Sequence, residues 1–185
     1  LGGFGKVEGA DLTPSLWRIG SGRIGGSGTP FDVAVPLLDE GHLQISSTHD
    51  RRAAAEALVE SLVMRVTSYF RPGLVSVHVW DTGQFTGSLP GLYPLTTTDL
   101  LTVHHPGRLP ALLDELSDRI RRLHTRLLID GFPSLAARAR ATGKRTEPWV
   151  LAVLMGNREP LKDEEYVALQ RVARGGLACG VQLVL

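Results

Sequence analysis

Residues 46–52 read SSTHDRR and place three hydroxyls, an imidazole, a carboxylate and two guanidinium groups in one turn. Ahead of them runs GHLQIS, and behind them AAAEALVESLVMRV repeats apolar residues at helical period. A turn from strand into helix favours anions, because the first helical turn leaves N–H groups free and carries the positive end of the dipole. Ser47, Thr48, His49, Asp50, Arg51 and Arg52 are therefore the first candidates for holding an anion. The turn has neither glycine nor lysine, so the architecture of a phosphate site is present without its usual chemistry.

Other candidates are weaker. GSGRIGGSG (20–28) is glycine-rich, but no helix-periodic segment follows it, and a phosphate loop needs a helix N-terminus behind it. It reads as the connection of a hairpin between LWRIG and FDVAVPLL. Asp81 ends the alternating segment LVSVHVW, at the strand end where open α/β sheets bind ligands; in WDTGQ it is also placed to bond its own backbone as a turn residue. His104 and His105 are adjacent and diverge, with no cysteine or acidic cluster beside them, so no zinc site is expected. His42, His78 and His124 are expected as packed or surface residues, and Cys179, in LACGVQLVL, as a buried structural thiol. Arg121, Arg122, Arg138, Arg140, Lys144 and Arg145 are expected as a solvated face; the alternative is a contact face for a subunit or DNA.

The elements that position these groups follow from periodicity. Ala54, Leu58, Leu62 and Val66, with Val59 and Val63, form one helical stripe that Pro72 and Gly73 end. A long helix carries Leu109, Leu112, Leu113, Leu116, Ile120, Leu123 and Leu127 on one face; SLAARARAT follows as a short one. WVLAVLM is continuously apolar, as a strand covered on both faces must be. DEEYVALQRVAR is a helix with Asp163 as expected N-cap and Gly175 beyond its end, and ACGVQLVL is a last strand. This alternation predicts an α/β fold with a mostly parallel sheet of about five strands and a small N-terminal β-hairpin annex packed at one edge.

At 185 residues and 43% apolar the chain suits one domain, over 14–185, after a glycine-rich flexible stretch at 1–13. Net charge is +1, from 20 basic and 19 acidic residues, so no global field draws it to nucleic acid or an anionic membrane. A single cysteine rules out an internal disulfide framework and fits a reduced, cytoplasmic setting. WVLAVLM is far shorter than a membrane span, so no membrane contact is expected from this segment. The chain lacks an initial methionine and stops inside an apolar run, which suggests a piece of a larger protein.

In order and in residues the chain resembles the RecA-like motor domain of the FtsK/SpoIIIE family of translocases from about Trp17 to Leu185. GHLQIS is similar to the His-apolar strand entering that family's phosphate loop, and LVESLVMRV to the helix behind it. LVSVHVWDTG is similar to the next strand, ending in aspartate; LPGLYPLTTTDLL to the path across the sheet; VARGGLACGVQLVL to the turn into the strand before the sensor loop. The resemblance implies a RecA-like P-loop NTPase-type three-layer fold.

Two departures qualify what it implies. Where the family has GxxxxGK[ST], this chain has SSTHDRRA; with the helices in phase and one residue missing, Arg51 falls at the lysine position and Arg52 at the Ser/Thr position, and without that gap Ala53 and Ala54 fall there. Where the family ends the next nucleotide strand in two carboxylates, Met155 and Gly156 stand. Glu159, past Asn157 and Arg158, is carried outward by the turn at Pro160. Losing loop, lysine, metal hydroxyl and carboxylates together implies a changed role.

The expectation is a non-catalytic module of a larger DNA or protein translocase, such as the chromosome translocases or type VII secretion ATPases. Mg-ATP is expected only in a separate motor domain, and a membrane-associated parent is compatible with this reading. Neighbouring ATPase domains are the expected partners, with a homo-oligomer and DNA contact through the parent motor as further possibilities. Arg51, Arg52, Asn157 and Arg158 are expected to form the docking face. The alternatives are an ATPase with an atypical site built from Arg51, Asp81 and Glu159, and a nucleic-acid-binding module without turnover.

Overall fold

The computed structural model describes residues 13–25, 28–83, 85–156 and 161–185; the stretch at 1–12 and the residues Asn157, Arg158 and Glu159 lie outside them. Chain order is β1 (Trp17–Arg23), β2 (Pro30–Val35), α1 (Arg52–Tyr69), β3 (Val75–Asp81), α2 (Phe85–Ser88), β4 (Leu101–His104), α3 (Leu109–Asp130), α4 (Leu135–Thr142), β5 (Trp149–Met155), α5 (Asp163–Gly175) and β6 (Val181–Val184).

Four strands form a parallel sheet in the order β4-β3-β5-β6. The expected strand HLQIS runs beside β6 but contributes one parallel bridge, Leu43 to Val184. Its N–H groups still pair outward to the sheet: Leu43 donates to Leu183 O at 3.0 Å and Ile45 to Leu185 O at 2.7 Å. The ladder is interrupted because His42 Nδ1 accepts the Leu183 N–H at 2.9 Å. Its Nε2 lies 2.9 Å from Ala173 O, which fixes the tautomer: Nε2 carries the proton and donates to α5.

One sheet face, with Val75, Val77, Val79, Leu151 and Val153, packs on Val59, Leu62, Val63 and Val66 of α1. The other, with Trp80, Val150, Ala152, Val181 and Leu183, packs on α3 and on Val172 of α5. A three-layer α/β/α sandwich results, as the alternation predicts. The α1 stripe is rotated slightly from expectation: Ala54 is exposed and Leu58 half-buried.

The N-terminal hairpin is an antiparallel two-stranded sheet of its own, with an irregularity between Arg18 and Gly20. It is not bonded to the edge of the main sheet. Its anchor is Trp17, buried against Tyr69 and Phe70 at the end of α1 with centroids 5.3 and 6.1 Å away. The path across the sheet also differs from the sequence reading, because residues 101–104 form strand β4 and not a loop. At the start of α5 the cap is shifted by one residue: Lys162 is the N-cap, its N–H donating to Glu165 Oε2 at 2.9 Å, and Gly175 is the last helical residue.

Candidate functional site

The carboxyl ends of β3 and β5 lie side by side, with Asp81 paired in register to Met155. A cleft of about 510 Å³ opens there, lined by Ile45, Ser47, Thr48, His49, Arg52, Ala55, Glu56, Val59, Leu154, Met155, Gly156 and Leu185. Of the turn candidates, Ser47, Thr48, His49 and Arg52 thus reach the cleft, facing Met155 and Gly156. Asp50 and Arg51 do not line it; both are exposed and pair loosely with each other at 3.5 Å.

The turn itself is a short 3-10 segment, His49–Arg51, that runs into α1. Its bonds consume donors that a phosphate would need: Arg51 N–H donates to Thr48 O at 3.0 Å, and Arg52 N–H to His49 O. Thr48, at the N-cap, makes no side-chain capping bond. Arg52 turns inward, its Nε donating to Glu56 Oε1 at 2.7 Å one helical turn on. That hydrogen bond raises the arginine's pKa, with the charge of Asp81 adding in the same direction.

Beside Met155, and not itself lining the cleft, Asp81 is buried, and its Oδ1 accepts the Gly83 N–H at 2.8 Å. The turn role is therefore present, at the strand end where a ligand-facing residue would also sit. Asp81 Oδ2 is buried without a hydrogen-bond partner. Gly156, at φ +78°, approaches closely: a Cβ there would meet Thr82 Oγ1 at 2.9 Å, Asp81 Oδ1 at 3.1 Å and Arg52 Nη2 at 3.3 Å. Thr82 Oγ1 donates to Gly156 O, tying the two strand ends together.

As a cradle for magnesium triphosphate this donor set does not fit. Two of the turn's N–H groups, those of Arg51 and Arg52, are spent, the cation is bound to Glu56, and the β5 end offers Met155 and Gly156 in place of metal-binding oxygens. Glu56 is the cleft residue that sequence reading missed; its i,i+4 spacing from Arg52 was the available signal.

The remaining candidates resolve individually. His104 faces His78 and not His105: His78 Nδ1 and His104 Nε2 are 3.0 Å apart with the rings within 16° of parallel. Burial lowers the pKa of both; nearby Glu115 opposes this in each case, while Arg119 adds to the lowering at His78 and Arg108 at His104. His105 accepts the Gly107 N–H at 3.2 Å, and His124 is exposed. Cys179 is fully buried and burial raises its pKa. No group of three or more metal-ligating side chains occurs among the described residues.

The basic face is less solvated than expected. Arg145 is buried on Asp39 at 2.8 Å and over the Trp149 ring at 3.6 Å. Arg138 pairs with Asp130 at 3.2 Å and Arg140 with Glu40 at 3.3 Å. Arg121, paired with Asp118, stays exposed, as do Arg122 and Lys144. The docking face is likewise divided: Arg51 points out, Arg52 points in, and Asn157 and Arg158 lie outside the described residues.

A parallel sheet between helical layers, with a cleft at its carboxyl edge where the first strand meets α1, is the architecture of RecA-like ATPase domains. Solved structures with this fold are EssC (ATPases 2 and 3) from Geobacillus thermodenitrificans and EccC (ATPases 2 and 3) from Thermomonospora curvata in complex with a signal sequence peptide. The first matches at TM-score 0.69 and 15% identity over 92% of this chain and 33% of that one. The second matches at 0.66 and 17%, over 92% and 32%. The pCW3 conjugation coupling protein TcpA, with ATPγS, matches at 0.54 and 12%, over 95% and 48%. This chain thus spans about a third of the EssC and EccC structures. No family model matches the sequence, and no curated protein matches it. At these identities the likeness is one of fold, and it is the fold that the FtsK/SpoIIIE resemblance implies.

Proposed function

We propose that this domain is a non-catalytic RecA-like module of a larger FtsK/SpoIIIE-like translocase, acting in assembly or regulation and not in ATP turnover. The observation that carries the reading is the cleft: its turn spends the N–H groups of Arg51 and Arg52 on Thr48 and His49, and its arginine is held by Glu56. Phosphoryl transfer depends on positioning and charge stabilisation, and Met155 and Gly156 provide neither at the end of β5. Mg-ATP would then belong to a separate motor domain of the parent protein. Any contact with DNA would also come through that motor.

Neighbouring ATPase domains of the same protein are the partners this reading names, as in the multi-ATPase EssC and EccC structures. The carboxyl edge is the proposed docking face, with exposed Arg51 as its outward cation, suited to a carboxylate on the neighbour. A cytoplasmic position is part of the proposal; among the described residues no helix is long and apolar enough to cross a membrane. Calorimetric titration with Mg-ATP, paired with a phosphate-release assay, is the test. A dissociation constant weaker than about 10 μM, roughly −7 kcal/mol, and no release are expected; tighter binding or turnover would overturn the reading.

A further inference from the structure

We infer that Arg52 is a resident cation of this cleft, bonded to the Glu56 carboxylate and turned toward that of Asp81 without an ion pair to it, with Gly156 as the residue that leaves it room. The inference deepens the non-catalytic reading and rests on it: the positive charge the cleft needs is tethered to the chain.

Three observations carry it. Among the described residues Arg52 is the single permanent cation lining the cleft, and its Nε is bonded to Glu56 at 2.7 Å, which leaves Nη2 directed across toward β3 and β5. Nη2 and Asp81 Oδ1 lie 3.3 and 3.1 Å from the point where a side chain on Gly156 would begin. They lie 3.6 and 3.2 Å from the corresponding point on Gly83. Two glycines thus bound the slot into which the planar group fits.

Finally, Asp81 is 3% exposed, and Oδ2 has no hydrogen-bond partner. A buried carboxylate with an unpaired oxygen needs a nearby positive charge to offset its burial. A guanidinium meets that need from a fixed position, because it never deprotonates and its fork is rigid. Glu56 anchors the arginine, and Asp81 is what the arginine compensates. Without the arginine, Glu56 and Asp81 are left as like charges at one cleft.

The test is a double-mutant cycle on this chain by thermal unfolding. Arg52→Ala should lower Tm by on the order of 4 °C, and Arg52→Lys, which keeps the charge, should lose less. Glu56→Gln should lower Tm in the parent, where it removes the arginine's anchor, and raise it in the Arg52→Ala background, where it removes a repelling charge. An arginine that merely packs predicts a fall in both backgrounds. Arg52→Gln serves for the same comparison if the alanine variant fails to fold. A fall on Glu56→Gln in both backgrounds, or an Arg52→Ala protein as stable as the parent, overturns the inference. Mg-ATP affinity of the parent is read separately, so tight binding there would sink the non-catalytic reading whatever the cycle returns.

Discussion

Replacing Arg145 by methionine probes the least exposed ion pair among the described residues. Arg145 Nη1 lies 2.8 Å from Asp39 Oδ2, with side chains 1% and 4% exposed, and its Nε donates to Glu147 O at 2.9 Å. The guanidinium also sits 3.6 Å above the Trp149 ring, so one side chain ties the segment after the hairpin to the start of the central strand β5. Methionine retains much of the stem's packing but leaves Asp39 buried without its counter-charge. Removing one partner of such a pair costs about 3–5 kcal/mol, a large part of the 5–15 kcal/mol that holds an ordinary domain folded. Asp39→Leu alone should also destabilise, and the double variant should recover about 2 kcal/mol or more relative to the sum of the singles, because no uncompensated charge remains. Urea unfolding at neutral pH measures all three. A loss under about 1 kcal/mol for Arg145→Met, or a double variant as costly as the sum, would refute the argument.

Three further outcomes follow from named contacts. Because burial lowers the pKa of His78 and His104, the unfolded chain binds more protons below about pH 6.5; stability should be full above that value and fall as pH drops through it. His104→Leu should flatten this slope in Tm-against-pH measurements. Gly156→Ala should cost more than Gly73→Ala, since both lie at positive φ (+78° and +87°) but only Gly156 is crowded, by Thr82 and Asp81; the backbone term alone is about 1–2 kcal/mol, and thermal melts of the two variants separate it from the crowding. Arg51→Glu in the longer protein should weaken assembly while leaving this domain's Tm unchanged, and assembly at parental strength would leave Arg51 as solvated surface.

The helices and buried strands were legible because each has a strong local signal. Leu112, Leu113 and Leu116 face the sheet as their spacing predicts, and WVLAVLM is central between β3 and β6. Strand β4 was not legible: LTVH is four residues long, shows only Leu101 buried, and follows a proline-rich path that reads as loop. Arg145 was misread because a basic residue among basic residues reads as surface, and its partner Asp39 stands 106 positions away. The histidine pair was missed similarly: His78 and His104 stand 26 positions apart, and only the parallel pairing of β3 and β4 brings their rings together. At the cleft, the absent glycines and carboxylates were visible in sequence. The inward turn of Arg52 was not, since it depends on the space above Gly156 that only tertiary structure defines.

Isothermal titration of this domain with Mg-ATP addresses the central claim most directly. The bonded N–H groups of Arg51 and Arg52, the Arg52–Glu56 pair and the carboxylate-free end of β5 predict no saturable heat up to about 10 μM affinity. A clear isotherm with a dissociation constant below about 10 μM would contradict the account, and would return the cleft to the nucleotide.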